Sequence, residues 1–503
     1  DMPIFRNDAL AAGITNAYAD VQDLYVETID PSDAGHYLEG TDSIPFDILE
    51  ETLRCKDDAA PDGYREEKLT IRITKLGPVI SSVFSQLETE RVLSLRWASA
   101  ESMTSSADFT RTMQAHSAES FRQALRQWNG IQLNFVFADR QGNIGWQVFG
   151  ALPNRSTGDG TVPYVVGDGV DNWSGWIPFE DMPQAHNPAK GWVGTCNHKT
   201  VAADYPYYYS SYFASSYRYQ RLKTLMTSQP EISVDDHWRF QRDTRNLMAQ
   251  ALVPHMTAAL AAHADTRALG DILSGWNYQD DLDLVAPTIF HAIYGHWATR
   301  VFQDELGEAL TRSMLATWYF WQERFQSMVE QGQSPWFDDV RTADTRETPA
   351  DILYLAAQDA RRDLTSRFGK DMARWQWGRA HTIEFVSPIR RSGIGKGLLG
   401  GGTHPAAGSG ETLYRGQYDF NRPFDVSFSA ALRMVADLSD PDKVLAVIPG
   451  GISGRVFHPH SQDQIDAFVS GEKQYWWFSD EAIKAHARSE LILRPQNEAQ
   501  GRP

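Results

Sequence analysis

The segment from Asn187 to Leu222 combines an amide, a histidine and many aromatic rings, which are residue types that can build an acyl-transfer site. It reads NPAKGWVGTCNHKTVAADYPYYYSSYFASSYRYQRL, with a predicted short strand from Gly191 to Thr195 followed by Asn197 and His198. A rigid and poorly hydrated side-chain amide at a strand end can stabilise a developing oxyanion, so Asn197 is a candidate catalytic residue. The alternative is that Asn197 and His198 only form a turn, because asparagine often caps backbone groups there.

A second polar cluster lies in the turn Ala19-Asp20-Val21-Gln22-Asp23. Two carboxylates three residues apart, with backbone carbonyls between them, supply several of the about six to eight oxygens that Ca²⁺ binds. The turn is therefore a candidate calcium site. The alternative is a solvated turn that its own aspartates cap.

The chain offers no attacking group in any of the usual hydrolase motifs. It has no GxSxG elbow, because the segment 451–454 (GISG) has one residue too few after its serine. The segment 470–473 (SGEK) matches SxxK without the SDN and KTG partners. Among 14 histidines there is no HExxH, and the pair in 458–460 (HPH) favours a loop. The sequence thus holds parts of a site without a nucleophile.

Composition sets the class of protein. With 503 residues, 42% hydrophobic and 22% charged, the chain can bury a large core. A net charge of −18 argues against nucleic-acid and anionic-membrane partners, because these need clustered Lys and Arg. Cys55 and Cys196 are too few for a disulfide framework, and the sequence leaves open whether they pair. No apolar run approaches the roughly 20 residues of a membrane span, so we expect no membrane partner.

Alternating apolar residues predict the strands that position these groups. Strands over 11–15 and 24–28 flank the aspartate turn, and an antiparallel pattern continues from 66 to 99. Helical periodicity covers 105–128, with Ser117 and Ser120 as helix starts. A hairpin follows, whose turn Gln141-Gly142-Asn143 tolerates positive φ.

The second half of the chain is predicted to be mostly helical from 233 to 368, as a layer or insertion, before strands return near the C-terminus. The glycine-rich stretch 391–416 lacks the Lys-Ser or Lys-Thr pair and the strand-to-helix context of a phosphate loop. We therefore predict a flexible loop there. We expect a single domain over 1–503.

Several stretches, taken in order, resemble the β-chain of the penicillin acylase family of N-terminal-nucleophile hydrolases. They are AAGITNAYADVQDLYVE, GPVIS, RWAS, NFVFADRQGNIGWQVFGALPNR, WSGWIPFEDMPQAHNPAKGWVGTCNH, DYP, YRYQRL, WQWGRAH, FSAALRMVADL and GGISG. Each stretch is weak alone, but their order spans nearly the whole chain. The resemblance is therefore specific to this family.

The resemblance implies an α+β fold, the αββα sandwich of two stacked antiparallel sheets between helical layers. It also implies autoproteolysis of a precursor into an α-chain and a β-chain, with a serine at the new β-chain N-terminus as nucleophile and its amine as base. An amine with a pKa near 8 is a usable base at neutral pH. Asp1 is not that serine, and the match starts several dozen residues inside a family β-chain. The expected partners are the α-chain and the missing first part of the β-chain.

The family's site residues fall on specific positions here. The backbone oxyanion donor falls on Asn16, the side-chain oxyanion amide on Asn197, and the supporting arginine on Arg218. The family's structural calcium ligands fall on Asp20, Gln22 through its carbonyl, and Asp23, while a further acidic ligand falls in 207–211, which contains no acid. Expected substrate-binding residues are Ile14, Leu133, Phe135 and His198. Strand core is an equal reading for the first three, and a structural role, through local hydrogen bonds, is the alternative for His198.

The resemblance implies an amidohydrolase for N-acyl substrates such as penicillin-like β-lactams or acyl-homoserine lactones, in the periplasm or secreted. The alternative is a non-catalytic protein that kept the fold and binds ligands through its 16 Trp and 19 Tyr.

Overall fold

A computed structural model describes residues 4–83, 91–103, 109–167, 172–317, 321–386, 399–455 and 457–493. The chain divides into two compact units, residues 1–219 and 220–503. Strands dominate the first unit and helices dominate the second.

The strands of the first unit are β1 (Phe5–Arg6), β2 (Leu10–Asn16), β3 (Gln22–Asp30), β4 (Asp33–Glu39), β5 (Asp42–Pro45), β6 (Asp47–Lys56), β7 (Tyr64–Thr74), β8 (Gly77–Pro78), β9 (Arg91–Trp97), β10 (Leu133–Asp139), β11 (Ile144–Phe149), β12 (Pro153–Arg155), β13 (Tyr164–Val165), β14 (Trp173–Trp176) and β15 (Gln184–His186). Its helices are α1 (Ala98–Ser102), α2 (Phe109–Met113), α3 (Ala118–Leu125) and the start of α4 (Tyr217–Met226).

The central sheet of the first unit has the antiparallel order β1-β2-β10-β11-β15. The hairpin β10–β11 forms because alternating apolar residues meet a tight turn, in which Gly142 has φ 88°. Phe135 faces Ile14 of β2 in register, and Leu133 faces Asn16. The register of β10 therefore decides which residues stand beside the end of β2.

Helix α3 covers the core under this sheet. Phe121 of α3 packs in an edge-on contact with Phe135, which stacks on Phe149, and all three side chains are fully buried. Ser117 and Ser120 form a reciprocal capping box at the start of the helix, where the sequence predicts the start. An aromatic core of this kind fixes β10, because buried rings tolerate little displacement.

A second sheet carries the other side of the aspartate turn. Strand β3 pairs antiparallel with β9 and with β4, and it pairs parallel with β13. Strand β4 in turn pairs antiparallel with β5. The turn 17–21 thus links β2 of the central sheet to β3 of the second sheet. Its two ends are fixed by different ladders.

The second unit contains most of α4 and the helices α5 (Val234–Phe240), α6 (Leu247–Leu260), α7 (Arg267–Ser274), α8 (Ala286–Ala316), α9 (Gln322–Gln331), α10 (Pro349–Phe368), α11 (Trp377–Ala380), α12 (Ile465–Ser470) and α13 (Asp480–His486). Its strands are β16 (Thr382–Phe385), β17 (Gly402–Pro405), β18 (Gly416–Asp419), β19 (Arg422–Ser429), β20 (Arg433–Ala436) and β21 (Val444–Val447). Helix α8 breaks at Gly307, which has φ 73°.

Two local predictions are wrong. The segment Gly191 to Thr195 is not a strand: Gly191 has φ 73°, and the segment is fixed by side chains, such as the 2.5 Å contact of the Thr195 and Thr15 hydroxyls. Within the predicted loop 391–416, residues 402–405 are strand β17, because their backbone pairs with β16. The part 391–398 lies outside the described residues.

In the part of the chain that the structure describes, no helix is both long and apolar enough to cross a membrane. Cys55 and Cys196 form no disulfide with each other.

The buried carboxylate of Asp139 joins the β10–β11 turn to helix α3. It accepts hydrogen bonds from the backbone N–H of Ala118 at 2.9 Å, of Gln141 at 3.0 Å and of Asn143 at 2.9 Å. Burial raises the pKa of Asp139, but these donors outweigh burial, and the net pKa is lower than usual.

We predict that Asp139→Ala lowers the free energy of unfolding at pH 7 by about 2–3 kcal/mol, because three backbone donors lose a charged acceptor. Since the folded pKa is depressed, this contribution is present above the unfolded pKa of about 3.9 and is lost as pH falls below it. Urea unfolding at pH 7 and at about pH 3, below the unfolded pKa, measures both effects. Asp139→Asn, which keeps the acceptor oxygen, should lose less. Equal midpoints for wild type and Asp139→Ala at pH 7 would contradict the assignment.

Candidate active site

The C-terminal end of β2 presents the main chain of Asn16 at the edge of the central sheet. Asn16 is the last residue of the strand, stands opposite Leu133 and is exposed to solvent. The ladder to β10 fixes its backbone on one side. A main-chain group at this position is held rigidly and still reaches a ligand.

Asn197 lies directly against Asn16. Its Nδ2 donates a hydrogen bond to the Asn16 carbonyl oxygen at 3.0 Å, and its own carbonyl accepts one from the Ala214 N–H at 2.9 Å. Its backbone is left-handed, with φ 64°, which asparagine tolerates better than most residues. The predicted pair of Asn16 and Asn197 is thus brought together from positions 181 residues apart.

Arg218 decides which way the Asn197 amide points. From helix α4 its Nη2 donates to the Cys196 carbonyl at 2.8 Å and to Asn197 Oδ1 at 3.1 Å. Because a guanidinium only donates, the amide oxygen must face Arg218 and the amide nitrogen must face Asn16. The nitrogen carries two hydrogens, and the bond to Asn16 uses one.

Arg218 also supplies positive charge to the site. The residue is buried, with 8% exposed, and among the described residues it forms no ion pair. A buried charge without a counterion exerts a stronger field than one in water. The site is therefore electrostatically suited to a negative charge that develops beside Asn197.

A polar layer under Asn16 was not found by sequence reasoning. Asn134 Nδ2 donates to Thr15 Oγ1 and to the Asn16 carbonyl, both at 3.2 Å, and its Oδ1 accepts from Trp146 Nε1 at 2.8 Å. The carbonyl of Asn16 thus accepts from the amides of both Asn134 and Asn197. The signal was present, because a buried asparagine in an apolar strand needs partners.

The predicted substrate-binding residues differ in exposure. Ile14 and Leu133 are partly buried and pack against the aromatic core. Phe135 is fully buried between Phe121, Trp128 and Phe149, which agrees with the alternative reading of strand core. Phe135 belongs to the core, because alternation along β10 turns its side chain toward α3.

His198 stands beside Asn197 as a neutral imidazole. Its ring stacks on Tyr219 at 3.6 Å, and its Nδ1 accepts from the Cys196 N–H at 3.5 Å. Burial, together with the positive charges of Arg218 and Lys190, lowers the pKa of His198 to about 4. His198 therefore adds no charge to the site at neutral pH.

Two of the three predicted metal ligands, Asp20 and Asp23, contact an arginine. Asp23 is buried, and its carboxylate is bound by Arg155, whose guanidinium also contacts Asp20. Among the described residues, no group of three or more His, Cys, Asp and Glu side chains could hold a metal ion. Gln22 lies in β3, paired with Trp97. The donor set therefore does not fit Ca²⁺, which needs about six to eight oxygens.

Comparison with known proteins matches nearly the whole chain to one protein family. Residues 2–485 match the family model described as penicillin amidase. The acyl-homoserine lactone acylase QuiP of Pseudomonas aeruginosa is 28% identical over 97% of this chain and 62% of its own length. The penicillin G acylase of Escherichia coli is 23% identical over 98% of this chain and 59% of its own length.

Among solved structures, the thermostable penicillin G acylase from Alcaligenes faecalis superimposes with a TM-score of 0.70 at 20% identity, covering 98% of this chain and 91% of that chain. The predicted α+β fold of the N-terminal-nucleophile hydrolases is thereby confirmed. The chain spans about three fifths of the length of the sequence relatives.

The lowered pKa of His198 predicts a pH effect on stability. The unfolded histidine, with a pKa near 6.5, binds a proton between about pH 6.5 and 4 that the folded protein excludes. Stability is therefore full above this window and falls as pH drops through it. We predict that His198→Phe, which can still stack on Tyr219, loses less Tm than wild type between pH 7.5 and pH 5. Parallel Tm–pH curves for the two proteins would contradict a half-buried, neutral imidazole.

Proposed function

Because the chain belongs to the penicillin amidase family, we propose that it forms the larger part of an acylase that hydrolyses the amide bond of an N-acyl compound. The observation that carries the proposal is the Asn197 amide, whose oxygen accepts from Arg218 and whose nitrogen faces Asn16. A preorganised donor of this kind is what acyl transfer needs, since charge develops on the carbonyl oxygen of the substrate. A simple capping turn does not require a buried arginine to orient it.

In the proposed reaction, a serine hydroxyl attacks the carbonyl carbon of the amide. The serine proton passes to the α-amine of the same residue, and the carbonyl electrons move onto oxygen. The main-chain N–H of Asn16 and the side-chain N–H of Asn197 hold this oxyanion. The C–N bond then breaks, the amine leaves with the proton, and water hydrolyses the acyl ester.

The serine lies outside this sequence in the proposal, on the first part of a β-chain produced by autoproteolysis. This segment and an α-chain are the proposed partners, since the relatives are longer than this chain and one of them is called a proenzyme. We place the mature enzyme in the periplasm or outside the cell. The α-amine is a workable base, because its pKa of about 8 lies close to neutral pH.

Substrates in the proposal carry an apolar acyl group. Ile14 and Leu133 are partly buried aliphatic side chains on neighbouring strands: Leu133 stands opposite Asn16, and Ile14 lies two residues before Asn16 on the same strand. Relatives named as acyl-homoserine lactone acylases and as penicillin acylases point to these two classes of N-acyl substrate. Both classes place an apolar acyl group on an amide nitrogen.

We predict that Asn197→Gly lowers kcat on the order of 10²- to 10³-fold, because one oxyanion donor is lost. Glycine accepts the positive φ of position 197, so the change removes the amide without adding backbone strain. Release of free amine from an N-acyl-homoserine lactone or penicillin G, followed over a range of substrate concentrations, gives kcat and KM separately.

The matched control is Asn187→Gly, since Asn187 also has a positive φ, 44°, in the same unit. It should retain the activity of wild type in folded protein. Asn197→Asp keeps the shape but replaces the donor by an acceptor, so it should be as inactive as Asn197→Gly. If either Asn197 variant turns over at the wild-type rate, this amide takes no part in the reaction.

Intact mass and N-terminal sequencing of every chain in the purified protein separate an enzyme from a binding protein. The proposal expects a fragment that begins with serine, threonine or cysteine, together with released amine. Ligand binding without any such fragment and without amine release would show a non-catalytic protein.

A further inference from the structure

A buried arginine stands at the place where the sequence predicts a metal ion. Arg155 ends strand β12, and its side chain is 1% exposed, beside Asp23 at 0% and Asp20 at 22%. A buried charge is costly unless it is paired and hydrogen-bonded. The contacts of Arg155, Asp20 and Asp23 therefore show whether the two carboxylates are paired within the chain.

Every strong contact of Asp23 is with an N–H donor. Arg155 Nε donates to Oδ2 at 2.9 Å and Nη2 to Oδ1 at 3.0 Å, which is a bidentate pair. Trp173 Nε1 donates to Oδ2 at 2.6 Å, and Asn172 Nδ2 approaches it at 3.4 Å. The backbone of Gly160 closes the remaining side, since a Cβ there would lie 2.1 Å from Oδ1.

Arg155 also binds the turn itself. The Nη1 and Nη2 atoms of Arg155 both donate to the main-chain carbonyl oxygen of Asp20 at 3.3 Å. Nη2 also lies 3.3 Å from the carboxylate Oδ1 of Asp20. The phenol of Tyr208 donates to Asp20 Oδ2 at 3.4 Å, and the Arg155 guanidinium lies 5.3 Å from the centre of that ring. Tyr208 falls in the segment 207–211, where the family resemblance places an acidic ligand and this chain has none.

The N–H groups of Arg155 face both oxygens of Asp23 and Oδ1 of Asp20, which are oxygens that a divalent cation between the two aspartates would bind. A metal ion beside the guanidinium would meet a full positive charge at short range, and the repulsion grows as the site becomes drier. The positive charge in this cluster is thus supplied by Arg155, a residue of the chain itself.

We propose that Arg155 is a positioning residue that fixes the turn after Asn16, and that it makes the mature enzyme independent of a divalent cation. The role in catalysis rests on the function proposed above. Arg155 binds the main chain four residues after Asn16 and the side chain of Asp23 in the following strand. It thereby fixes the path by which the chain leaves the oxyanion donor.

A neighbouring contact fixes the same turn from the other side. The Asp20 N–H donates to the carbonyl of Tyr209 at 2.9 Å, and the Tyr209 hydroxyl donates to the Ala17 carbonyl at 3.1 Å. The turn 17–21 is thus held by Tyr209 as well as by Arg155. Loss of either support should move the main chain of Asn16.

The first experiment uses the mature protein purified from its complete precursor and needs no substrate. After dialysis against EDTA, elemental analysis should find no stoichiometric calcium, and the Tm should be unchanged by EDTA or by added CaCl₂. Stoichiometric calcium, or a Tm that falls with EDTA and returns with CaCl₂, would overturn the metal-independent site. Because no catalysis is measured, this result stands or fails separately from the acylase proposal.

The second experiment tests positioning with Arg155→Met and Arg155→Lys. Arg155→Met should lower kcat on the order of 10²-fold, with a smaller change in KM, because a donor displaced by about 1 Å loses that much rate. Arg155→Lys keeps the charge without the bidentate fork and should recover part of kcat. If Arg155→Met does not fold, Arg155→Lys alone carries the comparison.

The control is Arg300→Met, which removes another partly buried arginine, paired with Asp359 at 2.6 Å in the second unit. It should lower Tm and leave kcat unchanged. If the Arg155 variants lose Tm and keep the kcat of wild type, as expected for Arg300→Met, Arg155 is a structural residue only and the positioning role is overturned.

Discussion

The hydrogen bond from Arg218 to the oxygen of Asn197 is the interaction on which the site depends. A side-chain amide can flip by 180° at little cost, and only a partner that donates and never accepts fixes its orientation. Arg218 is such a partner, and its second bond, to the Cys196 carbonyl, fixes the guanidinium itself. Asn197 is therefore rigid before any ligand arrives, which is the condition for electrostatic stabilisation without reorganisation.

The site is assembled from strand, turn and helix in one unit. Asn16 ends a strand, Asn197 lies in an irregular segment with positive φ, and Arg218 lies in the first turn of a helix. The strand contributes rigidity through its ladder to β10, behind which the aromatic core excludes water. The irregular segment contributes reach, since it brings an amide to the strand end that no ladder position could offer.

The strands around the aspartate turn, the β10–β11 hairpin and the capped helix α3 were predictable because each depends on local periodicity and turn chemistry. The segment from Gly191 to Thr195 was not, since its apolar residues suit a strand and only tertiary contacts decide its conformation. For Phe135 the sequence left substrate contact and strand core open, because alternation along a strand does not say which face meets the core. The bond between Asn197 and Arg218 follows from no spacing rule, and the resemblance alone indicated both residues.

Arg155 shows why a ligand set is harder to predict than a fold. Two aspartates in a turn suit a metal ion and an arginine equally well, because both cations are satisfied by the same oxygens. The choice depends on a residue 132 positions away from Asp23, and on whether the space between the carboxylates is already filled. For the proposed reaction the consequence is electrostatic, because the charge of Arg155 offsets that of Asp23 close to the chain segment proposed to stabilise an oxyanion. In that proposal Arg155 offsets negative charge near Asn16, and Arg218 supplies positive charge beside Asn197.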